Sequence, residues 1–161
     1  MFRASLLAAA MALIATPVLA APPRQFLTKA IEGDNSEMRL GALAEQRGAS
    51  PRVRDFGRTL QSDHAEARRQ AVAVAQRMGV PATHEIAPEA RAERRKLNRL
   101  SGRAFDREFA RYMVEDHRKD IRDFEMQARS RDRATADLAR QTLPALHKHL
   151  DMARDLANSR G

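Results

Sequence analysis

Cysteine is absent from the 161 residues, so neither disulfides nor thiolate metal ligands are available. Tryptophan is also absent and tyrosine occurs once. The phenylalanines from Phe26 onward all fall on apolar stripes, which leaves no aromatic surface for stacking nucleic-acid bases. No segment alternates apolar and polar residues as a half-buried strand would. A nucleophile elbow, a Gly-rich phosphate loop and a His-Glu-x-x-His helix are all missing, and serine and histidine fall in no triad pattern. The longest apolar run, Ala4 to Ala15, is too short to span a bilayer comfortably.

That run has a different meaning. Met1-Phe2-Arg3 is a positive start, the apolar stretch follows, and Pro17-Val18-Leu19-Ala20 supplies small residues for cleavage. The expectation is a signal peptide over residues 1–20, an exported protein beginning at Ala21, and a location in the periplasm or against the outer membrane. No cysteine follows the cleavage point, which excludes lipid attachment there. Net charge is +8, and all but four of the 29 basic residues are arginine. After export such a surface favours anionic envelope polymers or lipid headgroups as partners, rather than nucleic acid. Most of the arginines also read simply as solvated helix faces.

Residues 21–161 suit one domain. Helical periodicity predicts four long amphipathic helices, at about 24–47, 51–78, 103–129 and 133–158. Ser50-Pro51 reads as an N-cap followed by the first helical residue, and Asp132 as the cap of the last helix. Gly79-Val80-Pro81 stops the second helix. The crossover 79–102 carries Pro88 and a short charged helix. Two hairpins joined by one long connection define an all-α, ferritin-like four-helix bundle.

Each long helix places polar groups on its apolar stripe: Glu37 and Asp34 on the first, His64 with Asp63 at its margin on the second. The third offers Asp116, Asp120 and His117, and the fourth His149. Helical phase puts Asp116 and Asp120 in the middle of the third stripe and His117 at its edge. At 1.5 Å per residue these groups lie about 17–27 Å from a turn, so four helices can meet in one layer. Gly33 and Gly41 on the first helix imply close helix approach or room for another side chain. His84 and His147 face outward.

The combination of Phe26-Leu27-Thr28-Lys29-Ala30 and Glu37, Asp63-His64, Glu115-Asp116-His117 with Asp120 and Phe124, and Thr142-Leu143-Pro144 with His149-Leu150 and Met152-Ala153 resembles the domain-of-unknown-function family numbered 4142. The resemblance covers nearly all of residues 21–161. It implies an exported bacterial protein, often labelled a membrane or outer-membrane protein, with a ferritin-like bundle. It implies no activity.

Ferritin-like di-iron sites need Glu-x-x-His on two helices. Here the residues three before His64, His117 and His149 are Gln61, Val114 and Leu146, which argues against a ferroxidase. Glu37, His64, Asp116, His117, Asp120 and His149 are the candidate ligands for a mononuclear divalent metal: zinc, copper, nickel or iron. The competing and leading reading is a structural layer in which each imidazole bonds a carboxylate across the bundle. The function classes that follow are a non-catalytic envelope bundle, a metal-binding or metal-storage protein, and, behind both, a metal-dependent oxidoreductase.

Overall fold

The computed structural model describes residues 20–159. The expected leader, apart from Ala20, lies outside them. Five helices follow one another: α1 (Pro23–Arg47), α2 (Pro51–Arg77), α3 (Pro88–Leu97), α4 (Gly102–Ala128) and α5 (Arg133–Asn158). All boundaries of the four long helices fall within one residue of the sequence reading, because local chemistry marks them. Ser50 Oγ accepts the Val53 N–H at 3.2 Å, with Pro51 in the first turn. Asp132 Oδ1 accepts the Thr135 N–H at 2.9 Å. Both are side-chain caps for otherwise orphaned helix donors. Gly79, at φ +62°, turns the chain out of α2. Pro144 sits inside α5 without ending it.

The connection 78–101 runs the full length of α1. The Arg24 guanidinium donates to the carbonyls of Met78 and Gly79 at 2.8 and 2.7 Å. Midway, Asn35 Nδ2 donates to Thr83 O and Glu85 O at 3.0 and 2.9 Å. At the far end Arg47 donates to Leu100 O at 2.8 Å. The chain therefore returns to the end where α2 began, and α2 and α4 run parallel. The Asp106 carboxylate fixes that end by accepting the N–H groups of Ala49 and Ser50, both at 2.8 Å. This is the ferritin-like connectivity of a four-helix bundle.

Gly41 and Gly57 set the α1–α2 crossing. A Cβ on Gly41 would lie 2.7 Å from the Gly57 carbonyl, and one on Gly57 2.5 Å from the Gly41 carbonyl. Of the two alternatives expected for Gly33 and Gly41, Gly41 shows the close approach and Gly33 the room: a Cβ at Gly33 would meet nothing within 4 Å. It borders a cleft of about 320 Å³ between α1 and α4.

The apolar core is split. Leu40, Val53, Phe56, Leu60, Phe105, Phe109 and Met113 form one cluster, towards the α1–α2 turn. Phe26, Leu27, Ile31, Ala71, Val74 and Leu138 form another, towards the α4–α5 turn. Phe56, Phe105 and Phe109 are fully enclosed, each worth about 1.5–3 kcal/mol of burial. Phe124 is only partly buried, edge-on to Phe26 with ring centres 5.0 Å apart. A third, smaller cluster joins Ile121 of α4 to Leu146 and Leu150 of α5, and in sequence Glu37, His64, His117 and His149 each stand between residues of the first two clusters.

Among the described residues no helix is long and apolar enough to cross a membrane. The membrane-protein label that accompanies the resemblance therefore finds no support in any described helix.

Candidate metal centre

Three imidazoles meet at mid-height. Their ring centres are 5.1 Å apart for His64 and His149, 5.4 Å for His117 and His149, and 6.0 Å for His64 and His117. One ring nitrogen of each lies within 4.8 Å of one from each of the others. All three residues are buried, His117 completely.

Each ring is fixed by one hydrogen bond. His64 Nδ1 donates to Asp34 Oδ1 at 2.9 Å. His149 Nε2 donates to Asp63 Oδ2 at 2.9 Å. His117 Nδ1 donates to the Met113 carbonyl, one turn back on its own helix, at 3.0 Å. Carboxylates and carbonyls only accept here, so these nitrogens carry the protons and the tautomers follow. The opposite nitrogens, His64 Nε2, His117 Nε2 and His149 Nδ1, are buried and have no hydrogen-bond partner. Burial holds His117 well below the usual imidazole range, and the charges of His64 and His149 push the same way. His149 is lowered to about 4, chiefly by burial and then by His64, against the opposing pull of Asp63. Burial thus favours the neutral forms of His117 and His149, and uncharged imidazole nitrogen is what a transition metal requires of a ligand.

A second triad shares His117: Glu37, Asp116 and His117 each offer an atom within 4.8 Å of the others. Glu37 is 1% exposed and neither carboxylate oxygen has a hydrogen-bond partner. Its carboxyl is pushed well above the ordinary range by burial and then by the Asp116 charge beside it. Asp120 is pushed up to about 8 by burial and by Asp116. Asp34 is raised by burial, which outweighs its bond to His64. Asp63 moves the other way: its limited burial is outweighed by hydrogen bonds from His149 and Lys148. Tyr112, half-buried beside these carboxylates, is raised by burial and by the charges of Asp116 and Glu37.

The structure reverses one feature of the sequence reading. His117, expected at the edge of the α4 stripe, is fully enclosed, whereas Asp116 and Asp120 are only partly buried. The cause is the α1–α4 cleft, whose wall includes Asp116 and Asp120 together with Asp34, Lys119 and Asp123. The inner face of α4 is turned towards α5, where Ala110 and Ile121 are buried. The expected exchange of imidazole with carboxylate across the bundle holds for His64 and His149. Their partners, however, are Asp34 and Asp63, which the candidate ligand list did not include. Both had a visible signal: Asp34 falls on the α1 stripe and Asp63 adjoins His64. His84 and His147 are exposed, as expected.

A bundle of this connectivity with a histidine–carboxylate layer at mid-height falls in the ferritin-like class of helical proteins. The chain belongs to DUF4142, a domain of unknown function, whose family model matches residues 8–156. Among solved structures it is similar to the crystal structure of a DUF305 fragment from Deinococcus radiodurans. That match has a TM-score of 0.74 and 24% identity, covering 86% of this chain and 97% of the other; it bears on the fold. No curated protein matches the chain significantly.

Proposed function

We propose that this protein is an exported metal-binding bundle that holds one transition-metal ion between His64, His117 and His149. The observation that carries the reading is that three buried imidazoles bring ring nitrogens within 4.8 Å of one another and that each ring keeps one buried nitrogen without a partner. A purely structural layer would consume its own donors and acceptors. Here each ring uses one nitrogen in the layer and leaves the other bare, at a cost of about 1–3 kcal/mol per buried unsatisfied group. A cation accepts all three lone pairs at once. Asp34, Asp63 and the Met113 carbonyl then take the role of the outer partners that orient ligating histidines and raise their basicity. Three imidazole nitrogen ligands with an open position suit zinc, copper, nickel or iron. The α1–α4 cleft, which reaches His64, serves as the way in. Export rests on the leader pattern of residues 1–20, and contact with anionic envelope polymers or headgroups on the arginine-rich surface.

The test is titration of untagged, chelator-stripped protein with Zn²⁺, Cu²⁺, Ni²⁺ and Fe²⁺, read by thermal melting, with Co²⁺ absorption reporting ligand type. One ion per chain is expected to raise the melting temperature. At a free concentration 100 times Kd, linkage supplies about 2.7 kcal/mol. His117→Ala removes the effect. Absence of stabilisation by every one of these ions at saturation refutes the proposal.

A further inference from the structure

The imidazole site leaves Glu37 unexplained. This carboxyl is 1% exposed, lacks any hydrogen-bond partner on either oxygen, and belongs to a triad with Asp116 and His117. His117 can serve only one ion, because its Nδ1 is committed to the Met113 carbonyl. Once that ion takes the remaining nitrogen, Glu37 and Asp116 still lie beside each other, two neighbouring carboxyls whose charges oppose one another. Asp120 and Asp34 add their charges to the same spot. Among the described residues Lys119 pairs with Asp120 at 3.7 Å, and it also reaches Asp123 at 3.6 Å. The imidazole triad and the carboxylate triad meet at His117, which belongs to both. The carboxylate side borders the cleft, where the absence of a side chain at Gly33 leaves open space. A volume of about 320 Å³ accommodates an ion with several waters, each needing about 30 Å³.

We propose that Glu37 and Asp116, with Asp120 at the cleft wall, hold a second, hard divalent cation such as Mn²⁺ next to the imidazole-bound ion. This rests on the imidazole-site reading, which assigns His117 to the first ion. The chemistry differs between the two halves. Three imidazole nitrogens select a borderline transition metal, whereas a set of carboxylate oxygens completed by water selects Mn²⁺, Mg²⁺ or Ca²⁺. The pair of sites is therefore heterometallic, with the hard ion on the solvent side.

The experiment loads the full protein with one equivalent of Zn²⁺ and then titrates Mn²⁺, following free Mn²⁺ by electron paramagnetic resonance. Binding of one Mn²⁺ per zinc-loaded chain is expected. Glu37→Gln with Asp116→Asn should abolish that uptake while leaving one Zn²⁺ bound and the Co²⁺ spectrum of the imidazole site intact, which also certifies the fold. Asp120→Asn, a milder change at the cleft wall, should weaken Mn²⁺ binding severalfold. One metal per chain in total, whatever the order of addition, overturns the second site and leaves the first standing. Mn²⁺ uptake unchanged in the double variant also overturns it, because surface carboxylates would then be responsible. Failure of Zn²⁺ itself to bind removes both proposals together.

Discussion

The two histidine–carboxylate pairs have equal lengths and different surroundings, so they should differ in energy. His64 and Asp34 are 2.9 Å apart with side chains 5% and 9% exposed. His149 and Asp63 are also 2.9 Å apart, but the Asp63 side chain is 29% exposed and Lys148 shares it at 3.1 Å. A buried hydrogen bond to a charged group contributes about 1.5–3 kcal/mol, while partly exposed pairs contribute about 0.2–1 kcal/mol. Removing the imidazole with His64→Ala strands Asp34 in a closed site. Breaking a buried pair costs about 3–5 kcal/mol. Asp34 is already shifted towards its neutral form and escapes by protonation, which places the expected loss near the lower end, about 3 kcal/mol. Asp34→Ala should cost less, since an imidazole is cheaper to leave unpaired than a carboxylate. The double variant should then be more stable than the sum of single losses predicts, by about 2 kcal/mol. The parallel cycle on His149 and Asp63 should give about 1 kcal/mol or less. Urea denaturation of chelator-stripped protein at pH 7 measures both cycles. Additivity within about 0.5 kcal/mol at His64 and Asp34 would refute the pair as a unit. A stronger coupling at His149 and Asp63 would refute the burial argument.

Two further outcomes are expected. Gly41→Ala should destabilise by about 1–3 kcal/mol, because its methyl would press on the Gly57 carbonyl, whereas Gly33→Ala meets open space and should gain about 0.5–1 kcal/mol of helix propensity; thermal melting of the two variants compares them. Glu93 lies buried beside Glu108, Lys96 and Arg111, and its carboxyl is pushed from 4.5 up to about 7 by burial and by the Glu108 charge. Hydrogen bonds from Arg111 and Lys96 outweigh partial burial and hold Glu108 at about 2. Because the folded value of Glu93 lies above the unfolded one, its contribution is fully present below pH 4.5 and is lost as pH rises through 7. Glu108 works in the opposite sense, its contribution being lost only as pH falls from 4.5 through 2. Glu93→Gln should therefore flatten the decline in stability between pH 4.5 and 7. Relative to wild type at pH 8 it should gain about 1–2 kcal/mol, after discounting for solvent around the exposed Lys96 and Arg111. Chemical denaturation across that pH range reads the slope, and an unchanged slope would sink the assignment.

Helix positions were legible without coordinates because their signals are local. Prolines at 23, 51 and 88, caps at Ser50 and Asp132, and a glycine stop at 79 act on neighbouring backbone, whatever the rest of the chain does. The 3.6-residue period likewise identifies His64 and His149 as inward, since each stands alone on an otherwise apolar face. The layer itself could be anticipated by counting turns: a polar group near the middle of each helix meets the others whichever end is counted from. What the sequence could not decide was rotation about the α4 axis. His117 and Asp116 are 100° apart, and the apolar residues of α4 cover both, so only the packing of α4 against α5 and its retreat from α1 determine which is enclosed. Asp34 and Asp63 were visible as polar residues on or beside a stripe, but which imidazole each one meets was beyond reach for the same reason. Asp34 finds His64 across the α1–α2 hairpin, and Asp63 finds His149 on α5, through spacings between helices that no single stripe encodes. The cleft exists because α1 and α4 stand apart opposite Gly33, while the Gly41–Gly57 crossing draws α1 and α2 together. Glycine at either place looks alike in one dimension; which of the two is contact and which is space is decided by the neighbouring helix.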